Sequence, residues 1–283
     1  MIINILSGKG GTGKTTVSTN LAFLLRNEGL NVQLLDADVE EPNTHIFFDI
    51  DFYEERSVDL LLPVVDKEKC TLCGECGKVC QFGAIVVFPT TVMVFDYLCH
   101  GCGACTMVCP EKAITEKPKS IGKISYGMTK EGIAYGMGLL NIGEPSGVRI
   151  IRELKKGMRK DVDVTIIDSP PGTSCPVVES LRKSDFAVLV TESTPFGLHD
   201  LKMALNVVEE MGIKHGVVIN RYDPAFKDME VFLNSKNIPI LMKIPFDRKI
   251  AEHYSKGKIF SAYIPEWKEK FLEMYERIKG LIA

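Results

Sequence analysis

The chain has no apolar run approaching the roughly 20 residues that a bilayer-spanning helix requires, so membrane insertion is not expected. It has no excess of positive charge: 34 Lys and Arg face 37 Asp and Glu, a net charge of −3, and no basic run marks a phosphate-backbone footprint, which argues against a nucleic-acid partner. The first ten residues, MIINILSGKG, lack a basic stretch, a long apolar stretch and a cleavage site, so no export signal is read there. Disulfides are the remaining use for nine cysteines. Eight of them stand in a metal-ligand spacing instead, and that spacing without an export signal points to the reducing cytoplasm.

What is present begins at residue 2. Ile2 to Leu6 is a strand-length apolar run, glycines follow at once, and Val17 to Leu25 is apolar at helical spacing. Val32 to Leu35, Val162 to Ile167, Phe186 to Val190, His215 to Ile219 and Ile238 to Met242 are further strand-length runs, most separated by helical patterns. This alternation predicts an α/β fold, a mostly parallel sheet with helices on both faces. From Glu266 to Ile282 a stripe of Trp267, Phe271, Met274, Tyr275, Ile278 and Ile282 predicts a helix packed on the sheet. Its polar face mixes both charge signs, unlike the cationic face of membrane-surface helices.

Residues 66–117 break this alternation. They are rich in cysteine and glycine, with only short apolar runs at Ala84 to Phe88 and Val92 to Phe95, and predict a small inserted domain within a discontinuous one of 1–65 and 118–283. Lys69 to Ile85 repeats as Leu98 to Ile114, cysteines included. A unit so poor in apolar residues would depend on bound metal for its stability.

Gly8, Lys9, Gly10, Gly11, Thr12, Gly13, Lys14 and Thr15, followed by Thr16, satisfy the phosphate-loop pattern between a predicted strand and a predicted helix. The glycines let backbone N–H groups turn onto phosphates, Lys14 supplies charge to them, and the Thr15 hydroxyl suits Mg²⁺. The expected ligands are therefore ATP and Mg²⁺. Asp36 and Asp38 follow the second strand, and Asp168 ends another, where a carboxylate faces the ligand crevice of a parallel sheet.

The extra lysine, Lys9, makes this loop resemble that of the deviant Walker A family of MinD, ParA and nitrogenase iron-protein ATPases. That resemblance implies that Lys9 reaches across a dimer interface to a second nucleotide, in a homodimer or a dimer with a similar chain. It implies that Asp38 polarises the attacking water, that Asp36 supports the Mg²⁺ shell, and that Asp168 holds the Walker B position. Asn220 and Arg221, and the Pro245-Phe246-Asp247 loop, match the family's adenine contacts.

Each repeat carries Cys-x2-Cys-x2-Cys-x3-Cys, the ligand run of two-cluster ferredoxins, whose fourth cysteine serves the other cluster. Cys70, Cys73 and Cys76 are therefore paired with Cys109, and Cys99, Cys102 and Cys105 with Cys80, around two 4Fe-4S clusters. Structural zinc more often shows two separated Cys-x2-Cys pairs. His100, between two ligands, is expected to be solvated, and Cys175, the ninth cysteine, is read first as a small buried residue, with a labile cluster ligand or a redox-active thiol as the alternatives. The resemblance as a whole is to MinD-like ATPases carrying an inserted ferredoxin domain. It implies a cytoplasmic ATPase with two 4Fe-4S clusters; since ferredoxin-type clusters carry electrons, the first reading is ATP-gated electron transfer to a redox partner, with cluster assembly or carriage, and a MinD-like positioning switch, as alternatives.

Overall fold

A computed structural model describes residues 1–283. They divide into two compact units, one of Met1–Arg56, Ile124–Leu139 and Gly147–Ala283, the other of Ser57–Lys123 with Leu140–Ser146. The second unit contains the 66–117 segment and extends past both expected boundaries.

The chain runs β1 (Ile2–Leu6), α1 (Lys14–Asn27), β2 (Val32–Asp36), β3 (Ile50–Val65), α2 (Glu75–Val79), β4 (Ile85–Val87), β5 (Val92–Val94), α3 (Ala104–Val108) and β6 (Ile114–Thr129). It continues through β7 (Ala134–Leu140), α4 (Val148–Lys156), β8 (Val164–Asp168), α5 (Cys175–Leu181), β9 (Phe186–Glu192), α6 (Pro195–Glu210) and β10 (Lys214–Tyr222). The last elements are α7 (Asp228–Ser235), β11 (Ile240–Pro245), α8 (Arg248–Tyr254) and α9 (Pro265–Ile282).

The sheet order is β11-β10-β9-β1-β8-β2-β7-β6-β3, and every pairing from β11 across to β7 is parallel. The strands in its middle are apolar and buried along their length, as a parallel sheet covered on both faces requires. Alternate residues feed two separate cores. Ile3, Ile5, Val188 and Val190 pack with Val17, Leu21 and Leu25 of α1 and with the α9 stripe. Leu6, Ala187, Leu189, Val217 and Ile219 pack with Val177 and Leu181 of α5 and with residues of α6 and α7. Trp267, Phe271, Met274, Tyr275 and Ile278 are all buried, so the α9 stripe is core. No helix is long and apolar enough to cross a membrane.

Strands β3, β6 and β7 are not legible as strand-length apolar runs. Strand β3 reads IDFYEERSVDLLLPVV and β6 reads ITEKPKSIGKISYGMT, with charges, glycines and a proline where a buried strand would carry β-branched residues. Strand β3 ends the sheet order, and charge and proline suit an edge, which must not recruit further strands.

In the second unit β4 and β5 form an antiparallel pair, and the fully packed core shrinks to Cys76, Ile85 and Ile114 with partly buried cysteines and valines around them. Helices α2 and α3 occupy equivalent places in the two repeats. Each follows a glycine in the left-handed region, Gly74 at φ 85° and Gly103 at φ 73°, a turn that L-residues adopt only with strain.

Candidate functional site

The loop from Ser7 to Gly13 joins the carboxyl end of β1 to α1, at the sheet position where crossovers leave a crevice. Helix α1 starts with no side-chain cap and no acidic residue in its first turn, so its N–H groups and positive dipole end remain available to an anion. Two glycines are fixed by close approach. A Cβ at Gly8 would lie 2.2 Å from the Asp200 carbonyl oxygen, and one at Gly13, where φ is 101°, 2.4 Å from Asn220 Nδ2.

The loop opens onto a cleft lined by Gly10, Gly11, Gly13, Lys14, Thr15, Thr16, Asp38, Asn220, Arg221 and Pro245. With Phe246 and Asp247, twelve of the residues selected from the sequence thus share one cavity. Its far side is formed by Phe246, Ile250, Ala251 and Tyr254, an apolar surface suited to a planar base; the α8 residues had no sequence signal beyond an ordinary helical face. Asn220 Nδ2 donates to the Thr12 carbonyl at 2.8 Å and its Oδ1 accepts from the Arg221 N–H at 2.9 Å. Asn220 therefore ties β10 to the phosphate loop as well as lining the cleft.

The three aspartates fall into different environments. Asp168 lies in register with Ile5 of β1 and with Asp36 of β2. Its Oδ2 is 2.8 Å from Thr15 Oγ1, which lies at the same distance from Asn43 Oδ1 and can donate to one of them at a time. Asp168 Oδ1 is buried with no hydrogen-bond partner. An orphaned carboxylate oxygen beside a threonine hydroxyl fits the water shell of a hard, oxygen-seeking cation such as Mg²⁺. Burial first, then the charge of Asp36, pushes the Asp168 carboxyl up to about 8.

Asp36 is fully buried and does not line the cleft. It accepts from the N–H groups of Asp38, Asn43 and Thr44 and from Thr44 Oγ1, while Thr44 Oγ1 also contacts the Tyr135 hydroxyl at 2.8 Å. Burial raises its pKa against those hydrogen bonds. Its structural work is to shape the 38–44 loop and so aim Asp38 into the cleft. Burial pushes Asp38 up to about 6, with Lys14 opposing and Asp36 adding to the rise.

In the second unit the eight cysteines sort into two pockets. Cys70, Cys73, Cys76 and Cys109 line the first, and Cys80, Cys99, Cys102 and Cys105 the second. Each pocket takes three thiols from one repeat and the fourth from the other. Backbone N–H groups of Ala84, Gly101 and Ala113 donate to the sulfurs of Cys80, Cys99 and Cys109 at 3.3, 3.4 and 3.2 Å. No group of three His, Cys, Asp or Glu side chains converges as the ligand set of a single ion; four thiols spread around a pocket suit a polynuclear cluster, whose ligands bind separate iron corners. The His100 ring stacks on Phe82 at 3.7 Å and 10° beside the second pocket. Cys175 lies in neither pocket. It is exposed at the first position of α5, contrary to the burial expected of it, because the 172–175 segment crosses the surface before Val177 turns into the core.

A family profile described as the CobQ/CobB/MinD/ParA nucleotide binding domain matches residues 3–260. The chain belongs to this family. Its relatives include protein MJ0579 of Methanocaldococcus jannaschii, 36% identical over 93% of this chain and 92% of its own length. The iron–sulfur cluster carrier protein of Aquifex aeolicus is 28% identical over 91% of this chain and 60% of its own length. Among solved structures, the septum site-determining protein MinD of Pyrococcus horikoshii, complexed with Mg-ADP, superposes with a TM-score of 0.61 at 22% identity, covering 100% of this chain and 98% of that one. The last likeness speaks for the fold alone.

Membership of a nucleotide-binding-domain family makes the cleft at the phosphate loop the candidate nucleotide site. Lys9 stands apart from it. Its ammonium does not line the cleft but lies 3.6 Å from Glu192 Oε2, at the end of β9. Arg221 donates to the other oxygen of the same carboxylate at 2.9 Å. Nothing in the sequence around Glu192, a lone acid after a strand, singles it out from an ordinary turn residue.

Proposed function

We propose that this family member is a Mg²⁺-dependent ATPase whose nucleotide cycle serves iron–sulfur clusters, assembling them or passing them to acceptor proteins. The observation that carries the cluster half is the sorting of eight thiols into two four-cysteine pockets. Similarity to the Aquifex aeolicus cluster carrier along most of this chain supports passing clusters on. Cys73 and Cys102, equivalent in the two repeats, are the exposed thiols of their pockets, where an acceptor thiolate has access. Of the two residents inferred, Mg²⁺ would be held through Thr15 with Asp168 behind it, and would neutralise phosphate charge.

In the nucleotide half, Lys14 and the loop N–H groups hold the phosphates, and Asp38 orients the water that attacks the γ-phosphorus as ADP leaves. The site belongs to a homodimer, or a dimer with a similar chain, in the reducing cytoplasm, where thiols stay available. The partner is an acceptor protein rather than a nucleic acid.

A second reading, ATP-gated electron transfer to a redox partner through two resident 4Fe-4S clusters, draws on a different observation. Each pocket is completed by this chain alone and carries N–H···S hydrogen bonds, which hold a cluster in place and tune its potential. One experiment separates the two. The chain is loaded with radiolabelled iron as clusters and mixed anaerobically with an apo acceptor, with and without Mg-ATP, as wild type and as Lys14→Ala. Label passing to the acceptor only with ATP and only in the wild type supports carriage. Retained label, with an ATP-dependent change in the rate of cluster oxidation, supports gated electron transfer in its place.

A further inference from the structure

The phosphate loop holds two lysines, and only Lys14 lines the nucleotide cleft. The other is bound elsewhere. Lys9 Nζ lies 3.6 Å from Glu192 Oε2, and the glutamate side chain is only 11% exposed. The loop's own geometry supports this placement, since Ser7 Oγ donates to the Lys9 carbonyl at 2.5 Å. Glu192 is engaged on its other side by Arg221, which lines the cleft and adopts a left-handed φ of 48°. That conformation is costly for a non-glycine residue, and it coincides with a break in the pairing of β10 with β11 between Asn220 and Tyr222. A strained bulge thus presents Arg221, and one poorly hydrated carboxylate is shared by two cations from two loops of the nucleotide site.

We propose that Glu192 is a positioning residue that holds Lys9 out of the nucleotide cleft, and that binding of a nucleoside triphosphate draws Lys9 off this carboxylate and onto phosphate. The proposal rests on the nucleotide-site reading above. Its physical basis is competition between two anions for one ammonium. A carboxylate already shared with Arg221 is the weaker competitor against a triphosphate with several negative charges, whereas in the empty cleft it has no rival. The glutamate therefore sets how readily the loop closes on the nucleotide, without touching the nucleotide itself.

The test uses the full-length chain with Mg²⁺ and a non-hydrolysable ATP analogue, with binding read by calorimetry. Glu192→Gln keeps the shape of the side chain and removes its charge. Its affinity for the analogue should rise by about 3- to 30-fold, the range expected for releasing a half-buried ion pair. The gain should disappear when the same substitution is made in a Lys9→Ala background, because the latch acts only through that ammonium. Unchanged or weaker binding by Glu192→Gln, or a gain that persists without Lys9, overturns the proposal. If Glu192→Gln does not fold, Glu192→Asp keeps a charge for Arg221 while withdrawing the carboxylate from Lys9; a gain there supports the latch and no gain refutes it. Lys14→Ala is measured alongside. Full binding by that variant would overturn the nucleotide site itself, an outcome separate from the fate of the latch.

Discussion

Asp38, proposed to orient the attacking water, is a buried carboxylate kept at a cost to the stability of the fold. Burial raises its pKa from 3.8 to about 6, Lys14 only partly offsetting the loss of solvent. Between these values the folded chain binds more protons than the unfolded one. The resulting stability is fully present below the unfolded pKa and is lost as pH rises through about 6. The full shift corresponds to about 3 kcal/mol, and because the group keeps some solvent the expected effect is discounted to about 1–2 kcal/mol. Asp38→Asn, which removes the charge and keeps the shape, should therefore stabilise the nucleotide-free protein by that amount at pH 8. In thermal unfolding this is roughly 2–6 °C for a unit of this size. The gain should shrink to about half near pH 5 and be nearly gone at pH 4. The same variant should lose ATP hydrolysis, since an amide cannot polarise the attacking water. The measurement is the difference in unfolding midpoint between variant and wild type across this pH range, with the hydrolysis rate at pH 8. A variant no more stable than wild type at pH 8, or equally stabilised at pH 4 and pH 8, would refute the reasoning.

Gly13→Ala should weaken Mg-ATP binding by at least about tenfold, because φ of 101° and a Cβ position 2.4 Å from Asn220 Nδ2 combine the backbone strain of a left-handed L-residue with displacement of the Asn220–Thr12 hydrogen bond; equilibrium binding measures it. The pocket grouping predicts that Cys76→Ala with Cys109→Ala removes two of the four thiols of one pocket and leaves about half the iron, whereas Cys76→Ala with Cys80→Ala damages both pockets and leaves little. Iron and sulfide analysis of the anaerobically reconstituted double variants decides between these. Glu179→Gln should lower stability by about 1–2 kcal/mol in chemical denaturation. The carboxylate is largely buried and receives Arg152 at 3.2 and 3.1 Å, while Lys155, which donates to the carbonyls of Glu179, Ser180 and Arg182, is already pushed down to about 8 by burial and is held up by the Glu179 charge.

Local signals and non-local ones were unequally legible. The strands that are buried on both faces announce themselves as apolar runs, and the phosphate loop by glycines whose backbone must pass close to other atoms. Strand β3 stayed hidden because an edge is free to be charged, so its sequence loses the pattern that burial imposes, and β6, which lies between β7 and β3, carries most of its charges and Pro118 in a first half that is mostly exposed. Cys175 was misplaced for the converse reason, since a small residue carries no pattern and its exposure depends on where the preceding loop runs.

By itself, the sequence determined the α/β fold, the glycine loop with Lys14 and Thr15, and the two cysteine runs, because each is a requirement on consecutive residues. Tertiary structure decided which residues act together. It brought Asp36 beside Asp168 through strand register, used Asp36 to shape a loop instead of lining the cleft, and left one Asp168 oxygen without a protein donor. It also set Lys9 on Glu192 across 183 positions of chain. Such pairings depend on how distant strands stack, and no spacing along the chain encodes the charge that a folded lysine will meet.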